Sequence, residues 1–178
     1  MLLGGSTQQY RRLYERAMKP IKEHIFYRPM AQDNLDVLLA GQVQSDGRSA
    51  LDTLITEPQG QHLACFTGGM VGIGAKIFDN TADLAIARKL VDGCIWAYES
   101  MPLGVMPEIV HTVPCVSKEI CVWEERKWHE AVNKIHAGSQ TIEEKIRMNR
   151  LPPGFTNIDD RRYILRYSLD LPFLIYAC

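Results

Sequence analysis

The feature that most constrains the fold is a glycine-rich apolar run. Four glycines fall within seven residues of the run "QHLACFTGGMVGIG", residues 61–74. A helix with so few side chains exposes backbone that a second helix or a ligand can approach closely. The run has neither the G-x-x-x-x-G-K-[ST] spacing nor the GxGxxG pattern of phosphate-binding loops. His62 and Cys65 leave a zinc site as the weaker alternative, because no second His or Cys pair stands at zinc spacing. We therefore predict a tightly packed helix.

Length indicates one globular domain or slightly more, and the net charge does not identify a binding partner. The 178 residues are 46% hydrophobic and 23% charged, which is enough for a buried core. A formal charge of -1 gives no field that would attract nucleic acid, so no nucleic-acid partner is expected. The first ten residues lack the basic start and apolar centre of a signal peptide, and no run approaches the roughly 18 apolar residues of a spanning helix. Membrane attachment would need a segment absent from this chain.

Apolar spacing and caps predict a mostly helical chain. A helix from Ser6 or Thr7 to Phe26 should be kinked or split at Pro20. Further helices are expected at 80–101, 123–135 and 141–149. The segments "DVLLAGQV" and "RSALDTLI" flank the turn "SDG" and predict a β-hairpin. The segment at 101–115 contains three prolines and is predicted to be an ordered loop.

Three long runs resemble the fungal branch of the class I α-1,2-mannosidases, glycoside hydrolase family 47. They are "PQGQHLACFTGGMVGIGAKIF", "ARKLVDGCIWAYESMPLGVMPEIVHTVPC" and "LPPGFTNIDDRRYILR", and they follow the order and spacing of that family. The resemblance implies the central portion of a catalytic domain over residues 1–166, followed by a non-matching tail at 167–178. The implied fold is all-α, part of an (α/α)7 barrel with small β-hairpin insertions, incomplete at both ends.

The resemblance also implies an activity, a metal and a compartment. The activity is removal of terminal α-1,2-linked mannose from high-mannose N-glycans by inverting hydrolysis. The metal is Ca²⁺, whose ligand threonine in the family would follow the end of this chain, so no metal ligand is assigned within it. The compartment is the secretory pathway: the endoplasmic reticulum, the Golgi or the exterior.

Individual residues take roles from the same resemblance. Glu108 in "MPEIV" matches the catalytic rim, where partial burial would raise its pKa and suit it to donate a proton. Without the resemblance, it would as readily be a surface glutamate. His62 matches a pocket residue that contacts sugar, and Arg166 matches an arginine that binds sugar hydroxyls or a carboxylate. A solvated charge at a helix end is the alternative for Arg166.

The five cysteines leave one or two disulfides open on spacing alone. The resemblance implies a disulfide between Cys65 and Cys94. A pair of buried free thiols is the alternative. No motif supports a bond between Cys115 and Cys121, and that pair stays unassigned.

The C-terminal tail departs from the family pattern. After "RRYILR" the family continues with Pro-Glu, whereas this chain reads "YSLDLPFLIYAC" and has Ser168 where the essential glutamate is expected. Asp170 is too far along to replace it. The abrupt change favours a frameshift, a retained intron or a mispredicted gene end. The chain alone is therefore expected to be inactive, and a non-hydrolytic glycan-binding relative and an inactive all-α scaffold remain as alternatives.

Overall fold

The computed structural model describes residues 8–45, 47 and 55–160. These residues form a helix-rich structure with three small antiparallel sheets. The helices are α1 Gln8–Pro20, α2 Phe66–Phe78, α3 Thr81–Glu99, α4 Glu125–Ile135 and α5 Ile142–Asn149. The strands are β1 Phe26–Tyr27, β2 Leu39–Ala40, β3 Gln42–Gln44, β4 Ile55–Glu57, β5 Gln59–Gln61, β6 Ile109–Thr112 and β7 Phe155–Asp160. None of the helices in this part of the chain is both long and apolar enough to cross a membrane.

Helix α1 changes its hydrogen-bonding pattern at Pro20, as the sequence predicts. The α-helix ends at Pro20 and continues as a π-helical turn, Ile21–Ile25. The backbone N–H of Phe26 donates to the carbonyl of Ile21, which is the five-residue spacing of a π-helix. Proline has no N–H to donate and crowds the preceding turn, so a regular α-helical ladder is disfavoured here.

The glycine-rich run forms α2, which packs closely against its neighbours. A Cβ added at Gly68 would lie 2.9 Å from Cγ2 of Val91 and 3.3 Å from the carbonyl oxygen of Ala87, both on α3. A Cβ at Gly74 would collide with the ring of Tyr14 on α1. The prediction of close packing is confirmed at these two glycines, because both helices approach the bare backbone of α2.

The predicted hairpin is present with shifted strands. Strand β3 pairs with β4 in the register Gln42↔Glu57, whereas β2 pairs with β1 instead. The "DVLLAGQV" segment is therefore divided between two sheets. Residues 48–54 of the predicted second strand lie outside the described residues.

A three-stranded sheet in the order β5-β6-β7 corrects the prediction of a loop at 101–115. Strand β6 occupies the last part of that segment and pairs with Gln59–Gln61 on one side and with β7 on the other. Val110 and Thr112 are buried while Ile109 and His111 are half-buried, which is the two-residue period of a strand. Prolines on both sides of this short alternation conceal the strand in the sequence.

Two apolar clusters hold the layers together. The larger joins the sheet to α3 and α4 and contains Val91, Cys94, Val110, Trp128 and Phe155. Trp128 also donates its indole N–H to the carbonyl of Phe155 at 2.9 Å. The smaller cluster joins α1, α2 and α3 through Met18, Val71, Ala87 and Leu90. The sheet is thus fixed against the face of α3 that carries Cys94.

Helix α5 begins with a capping box. The hydroxyl of Thr141 accepts from the N–H of Glu144 at 3.3 Å, and the carboxylate of Glu144 accepts from the N–H of Thr141 at 3.0 Å. We expect Thr141→Ala to lower the free energy of unfolding by about 1 kcal/mol, because the N–H of Glu144 loses the hydroxyl oxygen to which it donates. Chemical denaturation would measure this. Thr81→Ala, one residue after the Asn80 cap of α3, is the control, and an equal loss there would contradict the capping explanation.

Candidate active site

His62 lies at the centre of the candidate site and is buried with 1% of its surface exposed. It opens a single 3₁₀ turn, His62–Cys65, between β5 and α2. Its Nε2 is hydrogen-bonded to the hydroxyl of Tyr98 on α3, and the two rings meet edge to face with centroids 5.6 Å apart. The imidazole is therefore held in the interior by a polar contact and a packing contact from the same residue.

Glu108 is joined to His62 through the backbone. The N–H of His62 donates to the carbonyl oxygen of Glu108 at 2.9 Å, directly beyond the Gln61↔Ile109 pair of the sheet. Glu108 itself is half-buried, and it follows two fully buried residues, Met106 and Pro107. The sheet thus brings together the backbones of two of the three predicted site residues, because His62 directly follows β5 and Glu108 directly precedes β6.

The third predicted residue, Arg166, lies outside the described residues, as do Ser168 and Asp170. Within 8–45, 47 and 55–160, no group of three or more His, Cys, Asp or Glu side chains could hold a metal ion. Cys65 is paired with Cys94 as a disulfide, so its sulfur is not a thiolate that could bind a metal beside His62. The zinc alternative therefore has no support in this site.

Cys65 and Cys94 stand at disulfide distance, with their Cα atoms 5.8 Å apart, in agreement with the pairing that the resemblance implies. Both are buried and join the 3₁₀ turn to α3. Cys115 and Cys121, which the sequence left unassigned, form a second pair with Cα atoms 5.6 Å apart. This second pair closes the loop before α4.

Losing the Cys65–Cys94 bond should destabilise the fold strongly. The bond closes a separation of 29 residues, so Cys65→Ala should lower the free energy of unfolding by about 3 to 4 kcal/mol in the loop-entropy model. Cys115→Ala opens a separation of only 6 residues and should cost about 2 kcal/mol in the same model. Denaturant unfolding under oxidising conditions compares the two. Non-reduced peptide mapping that finds Cys65 and Cys94 both alkylated would refute the bond.

Tyr98 is the site residue that sequence reasoning missed. In the sequence it is only one residue of the helix predicted at 80–101, four residues after Cys94. That spacing places both on one side of the helix, facing the 3₁₀ turn. The implied disulfide pairing contains a signal for this contact. His62 lies one turn before Cys65 and Tyr98 lies one turn after Cys94, so a bond between the two cysteines also brings His62 near Tyr98.

Known proteins similar to this chain point to one family. The family model described as "Glycosyl hydrolase family 47" matches residues 1–167. A protein of Aspergillus fumigatus, described as "Probable mannosyl-oligosaccharide alpha-1,2-mannosidase 1B", is 30% identical over 102 residues, covering 55% of this chain and 19% of the relative. A Neosartorya fischeri protein with the same description is 30% identical over 112 residues, covering 59% and 23%. The chain spans about a fifth of the length of these relatives. The chain belongs to glycosyl hydrolase family 47.

Proposed function

We propose that this chain is the central portion of a mannosyl-oligosaccharide 1,2-α-mannosidase that trims terminal α-1,2-mannose from high-mannose N-glycans. The observation that carries the proposal is the family match over residues 1–167, which includes both His62 and Glu108. The descriptions of the two fungal relatives name the substrate class. The fold we propose for the complete domain is an (α/α)7 barrel, to which the helices of this chain contribute.

Glu108 is the proposed proton donor. Inverting hydrolysis needs one carboxylic acid to protonate the leaving oxygen and a second carboxylate to activate water, roughly 6.5 to 9.5 Å away. We assign the first role to Glu108, which is half-buried directly before β6 and whose movement is limited by the hydrogen bond from His62 to its backbone carbonyl. The second carboxylate would come from segments outside the described residues.

His62 and Arg166 are proposed to bind the mannose unit. A neutral imidazole both donates and accepts hydrogen bonds, which suits the hydroxyl groups of a sugar. The guanidinium of Arg166 would donate to sugar hydroxyls or orient a carboxylate. His62 is already held by Tyr98, so sugar binding at this residue would not require the imidazole to be ordered first.

Calcium belongs to the proposal as an ion bound by other parts of the domain. The described residues contain no cluster of side chains that fits it. We therefore assign no ligand within them and no step of the reaction to the ion.

The proposed compartment is the secretory pathway. Two cysteine pairs at disulfide distance suit an oxidising environment, where such bonds form and persist. High-mannose N-glycans are the substrate that the proposed activity would meet there.

A glycan-binding relative without hydrolysis is the second candidate, and Ser168 is the observation that favours it. Serine stands at position 168, where the resemblance to the family implies an essential glutamate. Loss of one carboxylate would leave hydrogen bonds to the sugar while removing the chemistry, since such bonds hold substrate and transition state nearly alike.

The test is an assay of a complete catalytic domain that contains residues 1–166. A high-mannose N-glycan is added, and released mannose is followed by proton NMR during the first minutes. Inversion gives β-mannose before mutarotation, so an initial β signal supports the proposal. Release of α-mannose would contradict inversion, and retention of the glycan without release would favour the binding alternative.

A further inference from the structure

Two contacts join the same face of α3 to the same 3₁₀ turn. Cys94 reaches Cys65, and Tyr98, one helical turn later, reaches His62. His62 and Cys65 are three residues apart on the turn, and Cys94 and Tyr98 are four residues apart on the helix. The two contacts therefore lie side by side between the turn and the helix. The disulfide fixes the backbone of the turn, whereas the tyrosine acts on the imidazole itself.

The tyrosine contact controls the orientation of the imidazole ring. Both side chains are buried, with 1% of His62 and 4% of Tyr98 exposed, so water does not compete freely for the bond between Nε2 and the hydroxyl. A hydroxyl that donates to Nε2 leaves the ring proton on Nδ1, which then donates, whereas a hydroxyl that accepts from Nε2 leaves Nδ1 as an acceptor. The edge-to-face contact of the two rings restricts the same rotation by packing.

We propose that Tyr98 is a positioning residue for His62: its hydroxyl donates to Nε2 and thereby holds the imidazole in the Nδ1–H tautomer and in one ring orientation. The inference rests on the proposed function, in which His62 contacts the mannose unit. Tyr98 touches His62 rather than the proposed proton donor, so it acts through the histidine.

The position of Tyr98 also bears on Glu108. The backbone N–H of His62 donates to the carbonyl of Glu108, so the turn that Tyr98 and Cys94 hold is the turn that supports the proposed proton donor. The tyrosine restrains the imidazole and the disulfide restrains the backbone of the turn. Together they limit changes in the relative position of His62 and Glu108. This is the preorganisation that a sugar-binding site requires.

The test is the NMR spectrum of the histidine rings in the chain 1–178 and its Tyr98→Phe variant. The variant keeps the aromatic ring and removes the hydroxyl. Two-bond proton–nitrogen spectra of ¹⁵N-histidine-labelled protein report the tautomer of each of the five histidines, and His62→Gln assigns the signal of interest. We expect one predominant tautomer for His62 in the unmodified chain and a changed tautomer ratio, with displaced nitrogen shifts, in Tyr98→Phe.

Tyr27→Phe is the matched control. Tyr27 is also buried, and its hydroxyl is hydrogen-bonded at 2.9 Å to Thr112 rather than to a histidine. Tyr27→Phe removes a comparable buried hydrogen bond, so an effect caused only by the loss of a buried hydrogen bond would appear in both variants. The His62 signals should move in Tyr98→Phe and stay in place in Tyr27→Phe.

Two results would overturn the inference: identical His62 signals with and without the Tyr98 hydroxyl, or averaged tautomers of a free imidazole in the unmodified chain. Should Tyr98→Phe fail to fold, 3-fluorotyrosine labelling of the unmodified chain replaces it, because a more acidic phenol strengthens its donation to nitrogen. The His62 signals should then move most among the histidines, and their constancy would refute the proposal. None of these readouts uses mannose release, so failure of the proposed function is detected separately.

Discussion

Glu108→Gln in a complete catalytic domain containing residues 1–166 should lower kcat by about 10²- to 10⁴-fold, the usual contribution of general acid–base catalysis. Glutamine has nearly the same shape but no proton of comparable acidity to give to the leaving oxygen. The backbone carbonyl that accepts from His62 is unchanged by the substitution, so the sheet end should keep its geometry. The loss should therefore appear in turnover rather than in folding.

The measurement is the initial rate of mannose release from a glycan with terminal α-1,2-mannose, together with circular dichroism of both proteins. Glu130→Gln is the matched control, because Glu130 is an exposed carboxylate on α4 whose partner, Arg126, is also exposed. Pairs of this kind contribute little. A near-normal rate for Glu108→Gln with an unchanged spectrum would show that the proton donor is another residue.

Helices with local signals were predictable from the sequence. Helix α3 begins after Asn80, whose side chain accepts from the N–H of Asp83, and this cap is encoded within four residues. Helix α5 is encoded in the same way by Thr141 and Glu144. Such contacts depend on neighbours in the chain, so a single sequence contains the whole pattern.

Contacts between distant segments were not predictable in this way. Strand β6 depends on a partner that begins about 45 residues later, at Phe155, and its own alternation covers only four residues. Arg28 is buried and donates to the carbonyls of Leu35 and Glu119, yet in the sequence it resembles any surface arginine. The meeting of His62 with Glu108 likewise depends on the register of two strands, which residue types alone do not specify.

A polypeptide consisting only of residues 1–178 should release no detectable mannose, with or without added calcium. Two helices expose apolar side chains to solvent. On α1, Tyr10 and Leu13 are 60% and 66% exposed. On α2, Met70, Ile73 and Ile77 are 46% to 49% exposed. The α2 residues recur at three- and four-residue spacing and so form one apolar face. Faces of this kind are normally covered by further structure, and the site is not fully supported without it.

We expect this polypeptide to lack both the full set of catalytic groups and the complete support of the site. Inverting hydrolysis needs two carboxylates at a defined separation, and the described residues supply one candidate, Glu108, while position 168 is a serine. Hydrogen bonds from His62 would still bind sugar, but binding that is equal in ground and transition states does not accelerate the reaction. A weak affinity for mannose without turnover is therefore compatible with the expected result.

The assay compares the purified polypeptide 1–178 with a complete catalytic domain on the same high-mannose glycan, at matched concentration and with a chelator as a further condition. The complete domain should release mannose and the short polypeptide none. Release by the short polypeptide that a chelator abolishes would show that the catalytic carboxylates have been misplaced. Asp159 would then be the first to test, because it is exposed on β7 and its carboxylate lies 2.7 Å from Nε2 of His111. Asp160 and Asp170 would follow.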